Sequence, residues 1–184
     1  MIRKDTPMPG FELEVLFTPA EIETAVARLA HEVRQDYHDK NPVLLGVLKG
    51  CFVFMADLVR ALETPLEIEF ISLSSYGPGR TESAGKIHAI QGLRRSVKGR
   101  HVLVVEDIVD TGITVDFVLR YLRRRGPTSV RVCALFDKPA RRRVDVTIDY
   151  LGFSIPDRFV VGYGLDFDER FRYLKGLYCL KEDG

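Results

Sequence analysis

The chain has 184 residues, of which 46% are hydrophobic, and this size and composition predict one compact domain with a buried core. Its 27 basic and 26 acidic residues nearly cancel, which argues against a nucleic acid or an anionic membrane surface as a partner. No apolar run reaches bilayer-spanning length, and the first ten residues do not have the pattern of an export signal. The three cysteines are widely separated, which favours reduced thiols. We therefore expect a cytoplasmic protein.

The first half of the chain predicts a helix followed by a βαβ unit. Residues 18–21 form a capping box, and apolar residues then recur at helical spacing, so a helix of about four turns is expected there. Residues 42–48 predict a buried strand, 51–62 a helix and 66–73 a second strand with one wetter face. Residues 74–92 contain hardly any large apolar side chains, and this composition predicts a mobile loop.

The second half predicts further alternation of strands and helices. Residues 102–105 form a β-branched strand, 106–114 a polar turn, and the residues from Val115 onward a helix. Residues 130–136 predict another strand, and 150–164 contain short apolar runs before an irregular tail. The order of elements indicates an α/β fold with a parallel sheet and helices on both faces, whose ligands bind beyond the carboxyl ends of the strands.

The polar turn at 106–114 combines acidic residues, hydroxyl groups and a glycine. Backbone N–H groups and the helix dipole converge where a strand passes into a helix, so the turn suits a phosphate. Gly112 permits close approach of an anion, and two threonines supply hydroxyl donors. Glu106 and Asp107 can accept hydrogen bonds from vicinal hydroxyls or bind Mg²⁺. The alternative is that these acidic residues only complement a helix N-terminus.

Residues 102–114 resemble the diphosphoribose signature of the phosphoribosyltransferases. The spacing of Glu-Asp, two apolar residues and Asp-Thr-Gly is similar to the 6-oxopurine branch, in which the last aspartate removes the N7 proton of the base; that residue here is Asp110. The resemblance extends over roughly residues 44–180 and implies a small lobe that covers the base, at about residues 150–184. It implies that the ribose and its 5-phosphate are bound by Glu106, Asp107, Asp110, Thr111, Gly112, Ile113 and Thr114.

The resemblance also assigns residues to the diphosphate. Lys49 and Gly50 resemble the pyrophosphate loop, in which a cis peptide bond often precedes the lysine. Ser75 and Tyr76 look like the start of a catalytic lid at about residues 74–92, and Arg172 matches an arginine that touches pyrophosphate. Without the resemblance, Lys49 would be read as a solvated loop lysine.

Four further residues match the family's purine and metal positions. Lys138 resembles the lysine that donates to O6 of the base, Phe159 would stack on the purine, and Val160 would offer backbone groups to its edge. By composition alone Phe159 is predicted in the core. Asp166, with a backbone carbonyl for the exocyclic amine of guanine, is also a purine residue, and it would bind a second Mg²⁺. The implied metal ligands are Glu106, Asp107 and Asp166.

The resemblance implies transfer of a 5-phosphoribosyl group from phosphoribosyl diphosphate to hypoxanthine or guanine, giving IMP or GMP and pyrophosphate, in purine salvage. Mg²⁺ is the expected cofactor, and a homodimer or homotetramer the expected assembly. A regulator of the same fold that senses phosphoribosyl diphosphate stays open, as does an enzyme for xanthine or uracil. Asp110 argues against the regulator and Lys138 argues for a purine. The arginine runs at 123–125 and 141–143 are predicted to be solvated surface.

Overall fold

Two β-sheets and three α-helices make up the part of the chain that the computed structural model describes, residues 11–74 and 88–182. In chain order the elements are β1 (Phe11–Phe17), α1 (Pro19–Tyr37), β2 (Val43–Leu48), α2 (Phe52–Leu62), β3 (Glu67–Ser74), β4 (His88–Gln91), β5 (His101–Val109), α3 (Ile113–Arg123), β6 (Ser129–Asp137), a 3₁₀ turn (Pro139–Arg141), β7 (Tyr150–Ser154), β8 (Val160–Val161) and β9 (Leu177–Glu182). The larger sheet has the order β4-β3-β2-β5-β6-β7, and five of its strands, β3, β2, β5, β6 and β7, are parallel. The predicted α/β class with a parallel sheet is confirmed.

The capping box at the start of α1 is present as predicted. Thr18 Oγ1 accepts a hydrogen bond from the Glu21 backbone at 3.3 Å, and Glu21 Oε2 accepts one from the Thr18 backbone at 2.8 Å. The helix runs for 19 residues, more than five turns, so the prediction of about four turns was too short. It continues because Tyr37, 4% exposed, extends the buried stripe by another turn.

The helices lie on both faces of the large sheet, which confirms the predicted layering. Leu103 and Val105 of β5 pack in one core cluster with α1 and α2, while Val102 and Val104 pack in a second cluster with α3. This alternation follows from the two-residue period of a strand. Because both faces of β5 are covered by helices, its residues 102–105 are all apolar. Of the helices in the described residues, none is both long and apolar enough to cross a membrane. The three cysteines are buried and unpaired, as expected.

The strand order changes direction between β2 and β5. The chain leaves β2 through α2 and returns on one side as β3, whereas it leaves β5 through α3 and returns on the other side as β6. Because α2 and α3 lie on opposite faces, a crevice opens at the carboxyl ends of β2 and β5. The residues that directly follow these two strands therefore lie at the position where α/β sheets bind ligands.

Two irregular stretches contain strands that were not predicted. The predicted loop at 74–92 begins on the last residue of β3 and ends in β4, which pairs antiparallel with β3; residues 75–87 of that segment lie outside the described residues. The predicted irregular tail contains β9, which pairs antiparallel with β1 and β8 in the smaller sheet. No element was predicted at β1. The small lobe therefore joins β1 with β8 and β9, from opposite halves of the chain.

Candidate active site

The polar turn between β5 and α3 is shorter than predicted. The pairing of β5 with β6 continues through Val109, which lies opposite Asp137, so Glu106 and Asp107 belong to the strand and only residues 110–112 form the turn. The strand continues because β6 offers it a hydrogen-bonding partner over its full length. A cavity of about 260 Å³ lies here, lined by residues 106–112, 114 and 115. The structure thus brings the predicted ribose-phosphate residues together around one opening.

Gly112 adopts a backbone conformation that favours glycine. Its φ is +81°, and a Cβ atom at this position would lie 2.3 Å from the carbonyl oxygen of Val144. Two backbone N–H groups, of Arg143 and Val144, donate to the Thr111 carbonyl at 2.9 and 3.0 Å and hold the turn from below. The N-cap residue Gly112 has no side chain to cap α3, and the Ile113 N–H donates a long bond of 3.4 Å to Thr111 Oγ1. The start of a helix carries N–H groups without an intrahelical partner, which suits an anion.

Glu106 and Asp107 are buried carboxyl groups, 6% and 7% exposed. Burial, and secondarily the neighbouring Asp107, raise the pKa of Glu106 well above its ordinary value. Burial raises the pKa of Asp107 to about 6, although hydrogen bonds from its own and the following backbone N–H act in the opposite direction. Arg172 lowers and Asp166 raises the same pKa, which places both side chains within electrostatic reach of Asp107. Buried acids of this kind mark a functional site when they border a cavity.

Asp110 and Lys138 follow the ends of two adjacent strands. The Lys138 backbone N–H donates to the Val109 carbonyl at 2.9 Å, so Lys138 leaves β6 directly beside the residue that precedes Asp110. Lys138 is only 4% exposed, and its Nζ donates to the Arg158 carbonyl at 2.9 Å. An ammonium group has three donors, so this one bond leaves two for a ligand. The predicted burial of this amine is confirmed.

Two arginines near this pair were predicted to be solvated surface. Arg142 forms an ion pair with Asp137, and its side chain is only 19% exposed. Arg141 Nε lies 3.5 Å from Asp110 Oδ1 and 3.8 Å from Asp157 Oδ1. The prediction for Arg142 was wrong because Asp137, the last residue of β6, lies beside it and pairs with it. Charge runs in a sequence do not reveal such partners.

The loop after β2 lies against the acidic end of β5. A Cβ atom at Gly50 would lie 1.8 Å from Asp107 Oδ2, so the backbone of this loop passes the carboxyl group at a distance that only glycine allows. The peptide bond between Leu48 and Lys49 is cis, as the sequence resemblance led us to expect. Gly50 and Asp107 thus form a common wall of the crevice.

Ion pairs connect Lys49 with the predicted diphosphate arginine. Lys49 Nζ donates to Glu169 Oε1 at 2.8 Å, and Arg172 Nη2 lies 3.2 Å from Glu169 Oε2 and 2.7 Å from Asp166 Oδ1. Arg172 Nη1 also donates to the Gly164 carbonyl at 2.8 Å. Sequence reasoning missed Glu169. A signal was present, because Glu169 precedes Arg172 by three residues in an acidic segment, but its contact with Lys49 spans 120 positions.

The small lobe contributes an exposed aromatic ring. Phe159 is 51% exposed and meets Phe167 edge to face with ring centroids 5.5 Å apart, so the core position predicted from composition is wrong. Val160 is buried in β8, where it pairs with Cys179 of β9. Because the Arg158 carbonyl accepts from Lys138, the exposed ring follows directly after a residue bound to the buried amine.

The carboxyl groups proposed as metal ligands fit Mg²⁺ in part. Within residues 11–74 and 88–182, no three acidic, histidine or cysteine side chains converge as a ready-made metal cage. Glu106 Oε2, however, is buried without a hydrogen-bond partner in the described part of the chain, and both oxygens of Asp166 are engaged by Arg172 and the Glu169 backbone. Proteins usually hold Mg²⁺ with one or two carboxylates together with phosphate oxygens. The donor set suits that arrangement.

The two predicted lid residues, Ser75 and Tyr76, lie outside the described residues.

Comparison with known proteins gives one consistent result. A family model described as a phosphoribosyl transferase domain matches residues 16–168. The hypoxanthine-guanine phosphoribosyltransferase of Bacillus subtilis is 43% identical over 168 residues, 91% of this chain and 93% of that protein. A crystal structure of a hypoxanthine phosphoribosyltransferase from Staphylococcus aureus superposes with a TM-score of 0.86 at 41% identity, covering 91% of each chain.

A further solved relative is the hypoxanthine phosphoribosyl transferase of Trypanosoma cruzi, with a TM-score of 0.85, 40% identity and coverage of 96% of this chain and 95% of that one. The resemblance seen in the sequence is thereby confirmed over nearly the whole chain. The chain belongs to the phosphoribosyltransferase family of transferases, among relatives named as hypoxanthine and hypoxanthine-guanine phosphoribosyltransferases.

Proposed function

We propose that this phosphoribosyltransferase transfers the 5-phosphoribosyl group of phosphoribosyl diphosphate to hypoxanthine or guanine, giving IMP or GMP and pyrophosphate in purine salvage. One observation carries the proposal. An acid, Asp110, and a buried amine, Lys138, follow the ends of adjacent strands, and Asp110 lines the cavity at the start of α3. A 6-oxopurine needs an acceptor for its N7 proton and a donor for O6, and this pair supplies both.

The ribose 5-phosphate binds, in this proposal, at the turn that precedes α3. Backbone N–H groups at the start of the helix would donate to the phosphate, and the hydroxyls of Thr111 and Thr114 add donors at the cavity. Ile113 provides the first residue of the helix itself. Glu106 and Asp107, at the end of β5, accept hydrogen bonds from the two ribose hydroxyls.

The diphosphate binds beside the β2 loop. Lys49 and Arg172 supply positive charge, Gly50 lets the backbone approach, and Ser75 and Tyr76 belong to the segment proposed to cover this group. When the bond between C1 of ribose and the diphosphate oxygen lengthens, positive charge develops on the ribose ring and negative charge on the leaving group. The two cations therefore stabilise the charge that the transition state creates.

Mg²⁺ is the proposed cofactor. Glu106 and Asp107 would hold it near the ribose, and Asp166 would hold a second ion near the diphosphate. Bound there, the metal would neutralise phosphate charge and polarise the departing oxygen. Asp166 exchanges its contact with Arg172 for this role, which is compatible with that side chain's 29% exposure.

The base binds between the ends of β5 and β6 and the small lobe. Asp110 accepts the N7 proton, and Lys138 donates a hydrogen bond to O6, which favours a 6-oxo over a 6-amino base. The exposed ring of Phe159 stacks on the purine, and backbone groups of Val160 meet its edge. In this proposal residues 150–184 form the base-covering part of a single-domain enzyme.

We also propose that the protein works in the cytoplasm as a homodimer or homotetramer. An apolar groove of about 980 Å³ runs between α1, α2 and residues 172–175, and Phe52 and Tyr173 beside it are 46% and 80% exposed. Exposed apolar surface of this kind is typical of subunit interfaces. The T. cruzi relative was studied for the role of its C-terminal region in the oligomeric state. Light scattering during size-exclusion chromatography tests the assembly.

Pyrophosphate release tests the reaction. The protein is incubated with phosphoribosyl diphosphate and Mg²⁺ together with hypoxanthine, guanine, xanthine, adenine or uracil. Turnover with hypoxanthine or guanine that exceeds turnover with adenine and uracil by at least a hundredfold is expected, because the buried Lys138 amine has no acceptor on a 6-amino base. Binding of phosphoribosyl diphosphate without turnover of any base would instead favour a regulator that senses this metabolite.

A further inference from the structure

Glu169 bridges the two cations that we assign to the diphosphate. Its Oε1 accepts from Lys49 Nζ at 2.8 Å, and its Oε2 lies 3.2 Å from Arg172 Nη2. Its backbone N–H donates to Asp166 Oδ2 at 2.9 Å, which fixes the turn that carries it. Each oxygen of one carboxylate thus meets one of the two predicted diphosphate ligands.

The carboxylate of Glu169 resembles a phosphate group in its charge and its hydrogen-bonding atoms. It carries negative charge and offers oxygen acceptors only, and it bonds the same donors on Lys49 and Arg172. The hydrogen bond from Lys49, followed by that from Arg172, lowers the pKa of Glu169, so the group is ionised at neutral pH. A diphosphate that approaches these two cations therefore competes with a carboxylate that is already bonded to both.

The ion pair between Lys49 and Glu169 is weak. The side chains of Lys49 and Glu169 are 69% and 64% exposed, and exposed ion pairs of this kind are weak. Arg172, 19% exposed, is also held by the Gly164 carbonyl, and this bond does not depend on Glu169. The cationic site thus remains formed while its internal anion is exchanged.

We infer that Glu169 is an internal competitor of the diphosphate, which lowers the affinity of the enzyme for phosphoribosyl diphosphate and pyrophosphate and assists the release of pyrophosphate. The inference rests on the proposed function, because it takes Lys49 and Arg172 as the diphosphate ligands. A purely structural role for the same ion pairs predicts the opposite effect. If Glu169 only held Lys49 and Arg172 in place, its removal would loosen both cations and weaken diphosphate binding.

The substitution Glu169→Gln tests the sign of the effect, and Asp168→Asn is its matched control. Both remove one negative charge from exposed neighbouring positions of the same turn, but the carboxylate of Asp168 forms no ion pair with Lys49 or Arg172. The dissociation constant of inorganic pyrophosphate is measured by calorimetry with Mg²⁺ at fixed ionic strength. Since each exposed pair contributes modestly, Glu169→Gln should bind pyrophosphate about three- to tenfold more tightly than the wild type. Asp168→Asn should change binding by less than about twofold.

A double-mutant cycle with Lys49→Met separates competition from a general charge effect. In the Lys49→Met protein, Glu169→Gln should tighten binding less than it does in the wild type, because one of the two contested cations is gone. Unchanged or weaker pyrophosphate binding in Glu169→Gln, or equal tightening in Asp168→Asn, overturns the inference while the proposed function stands. If the wild type binds neither pyrophosphate nor phosphoribosyl diphosphate, the proposed function fails, and the inference fails with it.

Discussion

Replacing Asp107 by Asn should make the protein more stable and less active. Burial raises the pKa of this carboxyl from its ordinary value of 3.8 to about 6, so at neutral pH the fold holds a charge in a site that disfavours it. Each pKa unit corresponds to about 1.36 kcal/mol, which gives about 3 kcal/mol of destabilisation above pH 6. The carboxylate accepts hydrogen bonds from two backbone N–H groups, and asparagine satisfies these less well, at a cost of about 1 kcal/mol. The net gain should be about 1–2 kcal/mol.

The pH dependence of this gain has a definite sign. In the unfolded chain Asp107 loses its proton near pH 3.8, whereas in the folded protein it keeps the proton up to about pH 6. The unfolded state therefore binds fewer protons between these values, and the wild type loses stability as the pH rises through them. Asp107→Asn should match or fall below the wild type at pH 4 and exceed it at pH 7.5.

Thermal unfolding at pH 4, 5, 6 and 7.5, in the presence of a chelator, measures the effect. For a chain of this length, a gain of 1–2 kcal/mol corresponds to a rise in Tm of about 2–8 °C. Asp116→Asn is the control, because Asp116 pairs with Arg120 on α3 and should change stability by no more than about 0.5 kcal/mol. An Asp107→Asn protein that is less stable than the wild type at pH 7.5, or whose difference is the same at every pH, would refute the argument.

Three further predictions concern other parts of the fold. Lys138→Met should lower kcat/KM for guanine by about one to two orders of magnitude, because a charged hydrogen bond to the base is lost; steady-state kinetics check this, and a loss under threefold contradicts it. Gly112→Ala should lower the free energy of unfolding by about 1–3 kcal/mol in urea titrations, since its φ of +81° and the Val144 carbonyl leave no room for a Cβ; an unchanged midpoint contradicts it. The native protein should resist thiol alkylation until it unfolds, as mass spectrometry would show, and labelling before unfolding would contradict the burial of Cys51, Cys133 and Cys179.

The parts of the site that lie near each other in the chain could be predicted. Asp110 and Gly112 follow a buried strand and precede an amphipathic helix, and local patterns reveal both elements. Lys138 follows the next strand, so the parallel order of the sheet places it beside Asp110. The end of β5 was predicted four residues too early because Glu106 and Asp107 are charged, and charge is unusual in a buried strand.

Contacts between distant segments could not be predicted. β1 alternates apolar and acidic residues over Phe11–Val15, which is a strand pattern, but two of its apolar residues, Leu13 and Val15, are 36% and 54% exposed. Nothing in the local sequence shows that its partner is β9. The bridge from Glu169 to Lys49 joins two loops that are 120 positions apart in the chain. Such contacts arise from the closed fold and leave no periodic signal in the sequence.

The central claim is that Asp110 accepts the N7 proton of a 6-oxopurine beside Lys138. The most direct test measures kcat with guanine for the wild type, for Asp110→Asn and for the control Asp116→Asn. A general base contributes about two to four orders of magnitude, so kcat of Asp110→Asn should fall at least tenfold while the KM for phosphoribosyl diphosphate changes little and the control stays unchanged. Full kcat in Asp110→Asn would contradict the assignment.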